Sequence, residues 1–108
     1  MWFKCEDGNW VNLAQAENLS AFHGSEVTWL NTAIGSSGFV LGTIHGALGD
    51  RKKAAQYALD YITEVLTNKN FDRMGWSMVV AVAASDLAGE KAAREEIPHE
   101  PKSSTSVG

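Results

Sequence analysis

The sequence predicts an α+β fold. An antiparallel β-meander of four to five strands is packed by one long helix, and a C-terminal helical or strand-helix extension follows. Three observations carry this expectation. Residues 2–44 are short runs rich in β-branched and aromatic residues, broken by Asp-Gly, His-Gly-Ser and Gly-Ser-Ser-Gly corners. Residues 50–68 place apolar side chains at helical spacing. Apolar residues make up 44% of the 108 residues and charged ones 20%, a balance that favours a packed core over disorder. The length suits one domain over residues 1–97, with 98–108 as a flexible tail.

In chain order, the runs "WFKC" and "WVNL" flank Glu6-Asp7-Gly8-Asn9, and Asp-Gly between such runs signals a hairpin. Trp10 then stands just beyond the corner as a cross-strand brace. "NLSAF" ends at His23-Gly24-Ser25, and "EVTWLNTA" supplies the next strand. After Gly35-Ser36-Ser37-Gly38, "FVLGTI" closes the meander. Alternation sets Val11 and Leu13 against Trp10 and Asn12, and Val27 and Trp29 against Thr28 and Leu30. Neither face is cleanly polar, so one face is expected to pack on a helix and the other to keep apolar area for use.

The helix over 50–68 is expected to start with Asp50 as N-cap. It should bury a stripe of Ala55, Ala58, Leu59, Ile62, Val65 and Leu66, with Tyr57, Asp60 and Glu64 on its polar flank, and stop at Asn68. Residues 76–84 alternate like a strand but contain helix formers without a turn, so both readings stay open. Residues 86–96 read as a helix behind a Ser85 cap. From Pro98 onward two prolines and three serines give a tail with little to bury.

Composition also excludes function classes. With 9 basic and 13 acidic residues the net charge is −4, which argues against a nucleic-acid partner. The single cysteine, Cys5, excludes an internal disulfide and a cysteine-based zinc site. The longest apolar run is "MVVAVAA" at 78–84, far short of the ~20 residues of a membrane span. The start "MWFKCEDG" has no charged segment leading into an apolar one, so no leader is expected. These features predict a cytoplasmic protein with no membrane partner, no cofactor and no metal.

The segment "VLGTIHGALGDRKKA" is the first candidate site. It leads from a strand through Gly42, Gly46 and Gly49 into a helix opening with Arg51, Lys52 and Lys53. Glycines and helix N-terminal N–H groups attract anions, which nominates Gly46, Gly49, Arg51, Lys52 and Lys53. The spacing matches neither G-x-x-x-x-G-K-[ST] nor G-x-G-x-x-G, and a glycine-rich connection with solvated basic residues is the simpler reading. Three cations at a helix N-terminus also oppose the macrodipole without visible compensation, which points to an acidic partner.

No catalytic residue stands out. His23, His45 and His99 lack metal-ligand spacing, and "IGSSGF" departs from G-x-S-x-G because Phe39 takes the last glycine's place. Glu6 and Asp7 sit at a hairpin tip. Among the four tryptophans, Trp10, Trp29 and Trp76 are the candidate partner contacts, against a plain role in bracing sheet and core.

The pattern Gly8-Asn9-Trp10-Val11-Asn12-Leu13, followed by a strand, "VLGTI" and an amphipathic helix, resembles short uncharacterised bacterial and phage proteins. These share a Gly-x-Trp-Val-Asn-Leu hairpin, a strand meander and a closing helix. The resemblance covers residues 1–66 and implies a compact accessory protein of a phage or mobile element; it carries no chemistry. The expected function is therefore a small non-enzymatic protein-binding module, for instance an inhibitor of a host defence complex. Its partner would be another protein, with a homodimer as a further form. The alternatives are a small ligand- or anion-binding domain or enzyme using the loop 42–53, and a self-associating structural protein.

Overall fold

The computed structural model describes residues 1–68 and 72–103, the last ten of these by their backbone alone. The fold is α+β: two three-stranded sheets and two helices. The first sheet takes β1 (Trp2–Lys4), β2 (Trp10–Asn12) and β6 (Arg73–Gly75) in the order β2-β1-β6. The second takes β3 (Asn18–His23), β4 (Val27–Ile34) and β5 (Ser37–His45) in chain order. Helices α1 (Leu48–Thr67) and α2 (Trp76–Ser103) complete it.

The corners fall where the sequence places them. Cys5 and Asn9 close a three-residue loop with a 2.7 Å bond, and Gly8 takes φ 95°. Asp7 fixes the tip by accepting from the Asn9 backbone N–H and side-chain amide at 2.9 and 3.0 Å. The Gly24 N–H bonds the Val27 carbonyl across Ser25-Glu26. Gly35, at φ 62°, turns β4 into β5.

The expected single meander over 2–44 is divided in two. Behind β2, Asn12 accepts the Ala14 N–H at 3.1 Å and caps a 3-10 turn, Leu13–Gln15, that carries the chain out of the first sheet. The place beside β1 is taken instead by β6, which pairs with it in parallel, Phe3 opposite Met74. The extension thus has the strand-helix form. The open question over 76–84 resolves to helix, because α2 begins at Trp76 itself.

A β-bulge shapes β5. Leu30 pairs with Gly42 and Asn31 with Val40, so Leu41 is the extra residue. Its carbonyl accepts the Glu6 N–H at 2.9 Å, which ties the tip of the first hairpin to the edge of the second sheet. The bulge leaves the neighbours Leu41 and Gly42 both buried.

Helix α1 starts two residues before its expected N-cap. Ala47 caps it without a side-chain bond, and Asp50 lies inside the first turn, where its negative charge suits the dipole. Asn68 ends the helix in extended conformation. Its buried face is Arg51, Ala54, Ala55, Ala58, Ile62 and Val65. Leu59 and Leu66, expected in the core, are only partly buried at its margin, because small alanines bring the α1 backbone close to the sheet and turn the stripe.

Helix α2 runs antiparallel to α1. Lys53–Glu90 and Asp50–Lys91 pair at 2.8 Å each, and Tyr57 donates to Glu90 at 2.6 Å. Residues 98–103, expected within the flexible tail, continue the α2 backbone. Residues 104–108 lie outside the described ones. Phe3, Val11, Met74, Leu30, Leu41, Ile62, Val79 and Trp76 belong to one buried cluster that joins both sheets and both helices.

Candidate functional site

The basic start of α1 is arranged differently from what its sequence suggests. Arg51 is 2% exposed. Its Nε donates to the Gly46 carbonyl at 2.8 Å, and its terminal nitrogens donate to the Gly24 carbonyl, the Thr28 hydroxyl and the Ser25 carbonyl at 3.0, 3.0 and 3.1 Å. The cation is therefore held by backbone dipoles of the β3–β4 corner and the β5–α1 junction, and an external anion would have to displace them. This supplies the missing compensation for a cation at a helix N-terminus.

Lys53 is paired with Glu90, and Lys52 is exposed. Gly46, at φ 125°, makes the turn into the helix, while Gly49 lies within its first turn. The five nominated residues thus do not converge on one point. Within this stretch the glycine that packing demands is Gly42: a Cβ there would fall inside the Trp76 indole.

The tryptophans separate by position. Trp76 is 6% exposed and lies flat on Gly42 as part of the core. Trp29 is half-buried, its ring 5.5 Å from that of Phe22 across the β3–β4 pair. Trp10 is 48% exposed, and so is Trp2 to a similar degree, at 50%. In the first sheet Phe3, Val11 and Met74 point inward, so alternation sends Trp2, Lys4, Trp10 and Arg73 to the outer face. The Lys4 ammonium stands 6.0 Å from the Trp10 ring, and Trp2, Trp10 and Arg73 line a shallow hollow.

The second sheet presents another surface. Phe22 is 61% exposed and Val40 50%, with half-buried Trp29 between their strands. Phe22, Val40, Lys4 and Arg73 were not singled out by sequence. The alternation "WFK" around buried Phe3 carries the signal for Lys4; Arg73 has none, because its pairing with β1 is long-range.

A larger pocket of about 540 Å³ opens at the β5 edge, where α2 crosses it. Its apolar wall includes Ile44, Trp76, Val80 and Leu87, and Glu6, Thr43 and His45 form its polar side. Glu6 Oε1 accepts from the Thr43 N–H at 3.1 Å and from its hydroxyl at 2.8 Å. His45 Nε2 lies 3.4 Å from the same hydroxyl.

Cys5 is buried, and burial foremost, then the Asp7 carboxylate, pushes its thiol pKa up. This is the reverse of an activated nucleophile. His23 Nδ1 is engaged with Thr28 Oγ1 at 2.9 Å. Among the described residues no group of three His, Cys, Asp or Glu side chains could hold a metal ion, and no helix is long and apolar enough to cross a membrane. No family model, curated protein or solved structure matches this chain.

Proposed function

We propose that the protein is a non-enzymatic binding module whose partner is another protein, held on the outer faces of its sheets. One observation carries this reading: Phe22, Trp2 and Trp10 are 61%, 50% and 48% exposed, although Phe3 and Val11, next to the two tryptophans, are buried. An aromatic ring left in water forgoes roughly 1.5–3 kcal/mol of burial, which a partner surface would restore. Aromatic side chains with few rotatable bonds are also what interface centres favour. Service as an accessory protein of a phage or mobile element, for instance against a host defence complex, is the form of this reading that the Gly8–Leu13 hairpin pattern suggests.

The test is quantitative affinity capture from the producing cell's lysate with the wild-type chain, Trp10→Ser and Phe22→Ser side by side. Circular dichroism establishes that each variant is folded. The reading requires a protein retained by the wild type and lost with at least one variant. An identical retained set for all three would sink it.

A second reading, self-association, is supported by β3. The strand "NLSAFH" is a sheet edge carrying none of the lysines or prolines that usually protect one. Met78 and Val80, 47% and 37% exposed on α2, add apolar surface. Sedimentation equilibrium separates the two readings: a monomer across micromolar concentrations removes this one.

A further inference from the structure

The pocket at the β5 edge is independent of the aromatic sheet faces, and its hydrogen-bond arithmetic restricts what can enter. A threonine hydroxyl has one hydrogen. The short contact to a carboxylate assigns that hydrogen to Glu6 Oε1, at 2.8 Å. His45 Nε2 lies 3.4 Å from the same oxygen. Glu6 Oε2 accepts no hydrogen bond within the protein among the described residues.

The mouth therefore offers a free carboxylate oxygen, Glu6 Oε2, with the Ser77 hydroxyl also in its lining. Lys4 lines the adjoining hollow with Glu6 but forms no ion pair with it and stands beside Trp10 instead. Behind the mouth lie Ile44, Trp76, Val80 and Leu87. A carboxylate at the rim of an apolar wall complements a cation on an apolar body.

We propose that this pocket binds a small primary amine, its ammonium group held by the Glu6 carboxylate and its hydrocarbon body laid against Trp76, Val80 and Leu87. The sign is opposite to the anion site that the basic residues 51–53 suggest, although the same stretch of sequence, through Thr43 and His45, builds the mouth.

The experiment titrates the full chain, followed by NMR, with three probes of equal length: hexylammonium, hexanol and hexanoate. Hexylammonium is expected to move the Trp76 indole N–H and the Ala84 and Leu87 methyl signals with a millimolar Kd. Hexanol should bind about tenfold more weakly, and hexanoate more weakly still. Glu6→Gln keeps an acceptor for Thr43 and removes the charge; it should weaken hexylammonium about tenfold and leave hexanol unchanged. Ala84→Phe, at an exposed helix position that lines the pocket, should abolish all three responses. Equal binding of the three probes, indifference of hexylammonium to Glu6→Gln, or no movement of the Trp76 indole would each overturn the proposal.

Discussion

The two sheets have three strands each and similar aromatic content outside, yet their surfaces differ in charge. The strands β3, β4 and β5 contain no lysine, arginine, aspartate or glutamate at all. The strands β1 and β6 set Lys4 and Arg73 beside Trp2 and Trp10. The second sheet thus offers a neutral apolar surface, matched by its uncharged edge. The first offers aromatic rings between cations in a chain of net charge −4. Local cations on an acidic protein steer an acidic partner to one face, whereas the neutral face selects by shape and burial alone.

The sheets are also held differently. The first sheet has strands of three residues, and one buried row, Phe3, Val11 and Met74, supplies its strands' contribution to the core. Phe3→Ala should therefore have the largest effect on stability, about 3–5 kcal/mol in chemical denaturation, as truncations of buried aromatic rings do. Because Phe3 belongs to the cluster shared with α1 and α2, unfolding followed by tryptophan fluorescence and by far-ultraviolet circular dichroism should shift together. A midpoint change seen by only one probe would show the first sheet melting alone.

The second sheet is joined to α1 by the Arg51 clamp. Arg51→Met preserves bulk but removes four hydrogen bonds and strands three carbonyls, at an expected cost of about 2–4 kcal/mol. The neighbouring Lys52→Glu, on the exposed side, should change stability by less than about 0.5 kcal/mol. Equal effects at the two positions would show that the clamp holds little.

These two cases mark what the sequence could and could not disclose. The corners at Gly8, Gly24 and Gly35 and the strands around them follow from local turn chemistry, so the second sheet is legible residue by residue. The first is not, because β1 meets β6 across some seventy residues through a parallel ladder that leaves no hairpin signature. Arg51 misled for a related reason: its partners are backbone carbonyls of another corner, and no pattern in residues 50–53 reveals them. Leu59 was expected in the core because spacing identifies a stripe but not its centre. Leu59→Ala should accordingly cost about 1–2 kcal/mol, below the 2–5 kcal/mol expected for Ile62→Ala at the fully buried centre. The amine pocket had no sequence signal, since Glu6, Thr43 and His45 meet only through the bulge at Leu41.

Salt sharpens the contrast between the outer faces. If the partner docks on the first sheet, raising ionic strength from low to physiological should slow association several-fold, and Lys4→Glu or Arg73→Glu should slow it further. If it docks on the second, stopped-flow association rates should hardly respond to either. Salt sensitivity that survives both charge reversals would remove the first face from consideration.

The smallest expected effect belongs to Cys5, which sits where the two sheets meet. Its N–H closes the first hairpin on Asn9, and the next residue bonds the Leu41 carbonyl of β5. Burial raises its thiol pKa in the folded chain, so the neutral thiol is the form that the fold favours. The sign follows: the unfolded chain ionises first. The stabilisation is fully present below the ordinary thiol value of about 8.5 and is lost as pH rises from there through the raised one. Cys5→Ser removes this titration, so the two chains should lose stability differently only on the alkaline side. The same thiol reports on the seam. Its alkylation at neutral pH requires opening, because a buried protonated thiol is unreactive. If the sheets part only on global unfolding, the labelling rate should fall with added stability in step with the denaturation free energy. A labelling rate that ignores global stability would show the seam opening by itself, and the two faces would then belong to units that can move apart.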